Sequence, residues 1–127
     1  MKTIQRSIQT NKADELCSYL FKTRDLVHFA HLRTSSYASH VALNDLYEDI
    51  LEFADSLTEK LQGIEGRILV LSVCASSQDI EDPIIHLKGC VQYLTSIKQT
   101  FTSDIINIIE ELIGKFNETL YKLQFLH

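Results

Sequence analysis

The sequence predicts an all-α fold: a four-helix bundle with one long connection between the second and third helices. Three observations predict it. Four Gly and one Pro in 127 residues are too few for the many turns of a sandwich or barrel. His40, Leu43, Tyr47, Ile50, Ala54, Leu57 and Leu61 step alternately by three and four, an unbroken seam of helical period. The breaks at Thr34-Ser35-Ser36 and Thr102-Ser103-Asp104 are short, whereas residues 64–79 lose the helical period altogether. A chain of this length makes one domain, residues 1–127, opened by a polar lead-in over residues 1–10.

The first helix is expected from Asn11 to Arg33. Asn11 can cap it, and Asp14 and Glu15 suit the positive end of its dipole. Leu16, Leu20, Val27 and Ala30 form one stripe; Cys17, Phe21, Arg24, His28 and His31 form the next. Three short hydroxyl residues then compete with the backbone for hydrogen bonds, and Ser35 or Ser36 can cap the following helix. That second helix is expected over Ser36 to Gln62, with Gly63 as its left-handed terminator. Arg67 to Val73 is β-branched and continuous, which reads as a crossover with room for a short helix. The third helix starts near Asp82-Pro83, with Pro in its first turn, and carries Ile85, Leu87, Val91, Leu94 and Ile97 to about Phe101. The fourth runs from Asp104 to about Leu126 with a wide apolar face from Ile105 to Leu123.

Composition excludes several function classes. Twelve Lys and Arg against 17 Asp and Glu give a net charge of −5, so nucleic acid is not an expected partner. The N-terminus has no apolar signal segment, and the longest apolar run, Ile68 to Ala75, is too short to cross a bilayer. Cys17, Cys74 and Cys90 are odd in number and far apart, which reads as a reduced, cytoplasmic protein with small apolar cysteines in its core. The four glycines build no phosphate loop. No Ser/His/Asp or Cys/His set has a local signature. No E-x-x-H spacing of an intrachain di-iron site exists, which also sets aside His86 and His127.

Histidines 28, 31 and 40 and the acids of the second helix form the one candidate site. If the Thr34-Ser35 break is an αα-hairpin, His28 and His40 face each other at one end of the bundle; an unbroken helix would hold them roughly 18 Å apart. Asp55 and Glu59 lie one turn apart on the flank of the seam. Helix geometry puts them roughly 22–29 Å from His40, too far for a site within one chain. Two chains with antiparallel second helices about a two-fold axis remove that difficulty. Two imidazoles and two carboxylates suit Fe(II), and also Zn(II) or Mn(II). Because neither His40 nor Asp55 fills a large core volume, Ala at either position is expected to leave the fold intact.

The intervals resemble a known family. His40 follows His28 by twelve residues, Asp55 follows by fifteen and Glu59 by four. The Dps-like mini-ferritins, which have a ferritin-like four-helix fold, carry an intersubunit ferroxidase site as H-x11-H-x14-D-x3-E. Phe29 matches their aromatic after the first His, and Asp55-Ser56-Leu57-Thr58-Glu59-Lys60 matches their D-x-[apolar]-x-E-[RK]. A nearer resemblance, over Leu16 to Gly63, is to small ferritin-like proteins of bacteriophages, through His28 to His31, Ser36 to Leu43 and Gln62-Gly63. The resemblance implies iron at His28, His40, Asp55 and Glu59, with His31 as an added ligand or a partner of His28. It also implies a homo-oligomer of at least two chains, or a closed shell. Asn44 stands where the family often has an acid, and the family's Lys-rich tail is missing.

Two functions follow. One is a Dps-like protein that binds iron at a two-fold site and oxidises Fe(II) with peroxide or oxygen. The other is a non-catalytic helical assembly protein, such as a bacteriophage virion or accessory component, placed in the host cytoplasm or the virion.

Overall fold

The structure, a computed structural model, describes the backbone of residues 2–127 and the side chains of residues 12–127. It is all-α, a bundle of four helices: α1 (Lys2–Arg33), α2 (Tyr37–Glu65), α3 (Pro83–Ile97) and α4 (Ser103–Phe125). Single 3-10 turns at Ser77–Asp79 and Lys98–Thr100 precede and follow α3. The main packing pairs are α1 with α2, α2 with α4, and α3 with α4. The phenol of Tyr93 donates to Glu15 at 2.8 Å and Tyr19 packs on Tyr93, so α3 runs back along α1 and in the same direction as α2. Such a pair needs a crossover, and residues 66–82 supply it. No described helix is long and apolar enough to cross a membrane.

The seam of α2 is observed as expected: Leu43, Ile50, Ala54, Leu57 and Leu61 are buried, and His40 and Tyr47 are half-buried at its hairpin end. Leu16, Leu20, Val27 and Ala30 of α1 face it, and Phe116 is the bulkiest side chain fully enclosed by the bundle. Burial of such a side chain is worth about 1.5–3 kcal/mol, so the stripes account for the helix pairing.

Several boundaries differ from expectation. α1 does not begin at Asn11 but is helical from Lys2, through the polar lead-in. Residues 2–11 hold no Gly or Pro, so nothing in them stops propagation from the packed part of the helix. α2 passes through Gly63 and ends at Gly66, whose φ of 67° is left-handed and whose N–H donates to the Gln62 carbonyl. α3 stops at Ile97 and tightens into the 3-10 turn before Phe101. Ile85, expected on the apolar face of α3, is exposed. Cys17 and Cys90 are buried as expected, but Cys74 is exposed because it lies on the crossover and not in a helix.

The crossover is an extended strap laid along α1. The Val70 N–H donates to Asp14 and the Ser72 N–H to Ser18, at 3.1 and 3.0 Å. Four residues of helix advance about 6 Å and two of extended chain about 6.6 Å, so the strap keeps step with the helix. Arg67 pairs with Asp14 and Glu65 at its start, and Arg33 donates to the carbonyls of Ser77 and Glu81 near its end. Leu69 is its buried peg.

Candidate functional site

The three histidines meet where α1 hands over to α2. Ser36 caps α2, accepting from the Ser39 N–H at 3.2 Å, and its own N–H donates to the Thr34 hydroxyl. This tight turn sets His31 and His40 opposite one another. The Nδ1–H of His31 donates to the His40 carbonyl at 2.7 Å, and the Nδ1–H of His40 donates to the His31 carbonyl at 2.8 Å. Carbonyls only accept, so both rings carry a proton on Nδ1, and Nε2 is the nitrogen left outside the reciprocal pair. The His31 carbonyl lies in the last turn of α1, where no helical partner remains, so His40 caps α1 from the side. The rings stack with centroids 3.7 Å apart and planes 19° from parallel.

His28 extends the cluster on its other side. Its ring lies 6.0 Å from that of His31 and stacks on Tyr47 at 4.2 Å. The Arg24 guanidinium sits over the other aromatic partner, 5.4 Å from the Tyr47 centroid, and pairs with Asp25. Burial, together with the positive charge of Arg24 and the His31 ring, holds the His28 imidazole below its ordinary value.

The structure therefore brings together His28, His31 and His40, but not in the expected pairing. His40 stacks on His31, which stands between it and His28. The turn explains this: His31 lies four residues before Ser35 and His40 four after Ser36, so these two are the symmetric pair. That equal offset is the signal that would have singled out His31. Asp55 and Glu59 are exposed, further along the unbroken α2, about 22–29 Å from His40. Among the described residues, no group of three or more His, Cys, Asp or Glu side chains is placed to hold a metal ion. His40 also proves to be a structural donor, so its replacement by Ala is no longer expected to be neutral.

Chemically, the arrangement joins two helices and leaves two Nε2 atoms outside the reciprocal bonds. It has no nucleophile with an adjacent base, and the buried thiols of Cys17 and Cys90 are pushed above their ordinary values by desolvation, away from reactivity.

No solved structure matches the chain. It is 27% identical over 118 residues to an uncharacterized 14.6 kDa protein in the mobD-ri intergenic region of Enterobacteria phage T4, covering 93% of this chain and 92% of that protein. Residues 31–123, from the first histidine of the clasp through nearly all of α4, match a family described as of unknown function, and the chain belongs to that family, DUF5856.

Proposed function

We propose that this protein is a non-catalytic helical assembly protein, a virion or accessory component of a bacteriophage, that works by associating with copies of itself. The observation that carries this reading is the use made of the histidines. Their Nδ1 groups tie α1 to α2, and the carboxylates that would complete a reactive centre stand two or more nanometres away on an exposed flank. Likeness to a phage protein of the same size supports the setting. Light scattering tests it: a two-fold dimer or larger species is expected at micromolar concentration. A fully helical monomer up to millimolar concentration overturns it.

A second reading has one observation in its favour. Imidazoles that bind metals commonly donate one ring N–H to a carbonyl, which fixes the tautomer and aims the other nitrogen outward. His31 and His40 are held in that way. Across a two-fold axis, His28 and His40 of one chain with Asp55 and Glu59 of another would offer two nitrogen and two oxygen donors, a set that fits Fe(II). Iron bound there would supply Fe(II) oxidation. Titration with Co(II) or Fe(II) separates the readings. Under the second, His40→Ala and Asp55→Ala homodimers each lose metal uptake and mixed dimers regain one site of two; under the first, none of these proteins takes up metal stoichiometrically.

A further inference from the structure

The strap between α2 and α3 is exposed extended backbone outside any helix. From Ile68 to Gln78 it has no charged residue, no Pro and no Gly, in a chain where 23% of residues are charged. Natural sheet edges are usually blunted by Lys, Pro or a bulge, and this segment has none of these. Val70 and Ser72 point their N–H groups at α1. In extended chain, successive N–H groups alternate in direction, so those of Leu71 and Val73 point away from the bundle. Neither has a hydrogen-bond partner among the described residues.

The strap also lies edge-on. Leu69 is buried, but beyond it one backbone edge faces α1 and side chains of both faces reach solvent: Val70 is 68% exposed, Leu71 40% and Val73 44%, with Ile68 at 76%. β-Branched and leucine side chains on an open edge fit the pleated surface of a neighbouring strand.

From this geometry we infer that the strap is a self-pairing edge: two copies of the chain join by antiparallel pairing of residues 70–74 about a two-fold axis at Ser72. The inference rests on the assembly reading above and names its surface. The register follows from the outward groups. Leu71 of one copy and Val73 of the other exchange both backbone hydrogen bonds, twice by symmetry, and Ser72 faces its own copy in the non-hydrogen-bonded position between them. A second copy suits the segment on charge. Two uncharged strands meet without repulsion although each chain carries −5, and the antiparallel sense sets the Arg67 end of one strap beside the Asp79 and Glu81 end of the other. Four exposed apolar side chains make a patch smaller than a standard interface of about 800 Å² per partner, so the pairing is read at concentrations up to the millimolar range.

The test is cross-linking with the full chain. Ser72 and its copy would lie with Cα atoms about 4.5 Å apart, within the range that a disulfide spans. In a Cys74→Ser background, Ser72→Cys treated with diamide should give a covalent dimer at least roughly tenfold faster than Gln99→Cys, an exposed thiol off the strap. Val73→Lys should shift the scattering mass toward monomer with unchanged helicity. If the wild type is an oligomer but Ser72→Cys links no faster than the control and Val73→Lys changes nothing, the strap is not the interface, while the assembly reading stands. If the wild type is a monomer throughout, both are overturned.

Discussion

Three residues join α1 to α2, and seventeen, Gly66 to Asp82, join α2 to α3. The short connection closes on itself. Ser36 caps α2, and the two histidines that flank the turn serve each other's carbonyls. The long connection has no such internal partners over residues 69–72, and borrows Asp14 and Ser18 from α1 and Gln62 from α2. Both connections are held by hydrogen bonds, but the turn supplies its own partners, whereas the strap borrows partners for Leu69, Val70 and Ser72 and leaves the N–H groups of Leu71 and Val73 without one among the described residues. The turn draws side chains inward and buries a histidine, whereas the strap fixes one backbone edge and leaves its apolar side chains outside. A turn closed by reciprocal bonds is coupled to the whole hairpin. A strap held by a few anchors can change without unfolding the bundle beneath it.

Substitutions at the anchors break the comparison most sharply. His31→Ala removes a buried ring and its hydrogen bond across the turn, and takes the stacking partner from His40, so it should cost about 3 kcal/mol of global stability in urea unfolding. Asp14→Ala should cost less, about 1–2 kcal/mol, since Arg67 keeps Glu65. Its larger effect should be local, as faster proteolytic cutting within residues 67–76. Equal global losses with no change in cutting would show that strap and turn are coupled alike.

The two glycines at the junction sharpen the same contrast on a smaller scale. Gly63 is inside α2 with open space around it, so Gly63→Ala should stabilise by up to about 1 kcal/mol. Gly66 also has room for a side chain, but its positive φ makes Gly66→Ala unfavourable by about 1 kcal/mol, with Asn tolerated better. Opposite signs in thermal unfolding are expected.

Acid should act gradually, through His28 of α1 and His86 of α3. Burial lowers His28, as it does His86 of α3, where Lys22 adds to the effect. Both folded values lie below the unfolded value near 6.5, so the unfolded chain takes up protons first as pH falls. Stability should be complete above about pH 7 and decline as pH falls below 6.5, levelling off once the folded histidines also protonate. His28→Gln should flatten part of this slope in urea midpoints measured from pH 8 to 5; an unaltered slope would assign it to other groups.

How much of this was legible follows from the same physics. The α2 seam and the α1 stripes were readable because burial imposes a period on the residues themselves. The crossover was readable through the loss of that period at Arg67 to Val73, although its path along α1 was not, since it depends on Asp14 and Ser18 more than fifty residues earlier. Gly63 and Gly66 are alike as glycines; the Asp14–Arg67 pair lies beyond the second, and no local pattern shows that contact. The histidine cluster was located by its residue types, and its pairing was misjudged because interval matching favoured His28 over the symmetric His31. The exposed Cys74 was misplaced by composition, which treats a cysteine as small and apolar wherever it falls.

Cys17 is buried on α1 beside Thr58 of α2, and Cys90 is buried on α3 beside Tyr19 and Thr23 of α1, with Cys74 in the open on the crossover. A thiol reagent should therefore label the chain in a fixed order, Cys74 at once and the buried pair only when their helices part. If Cys17 and Cys90 are labelled at one common rate, the bundle opens as a single unit. If the rates differ, their ratio measures how much more often α1 parts from one of its neighbours, α2 or α3, than from the other.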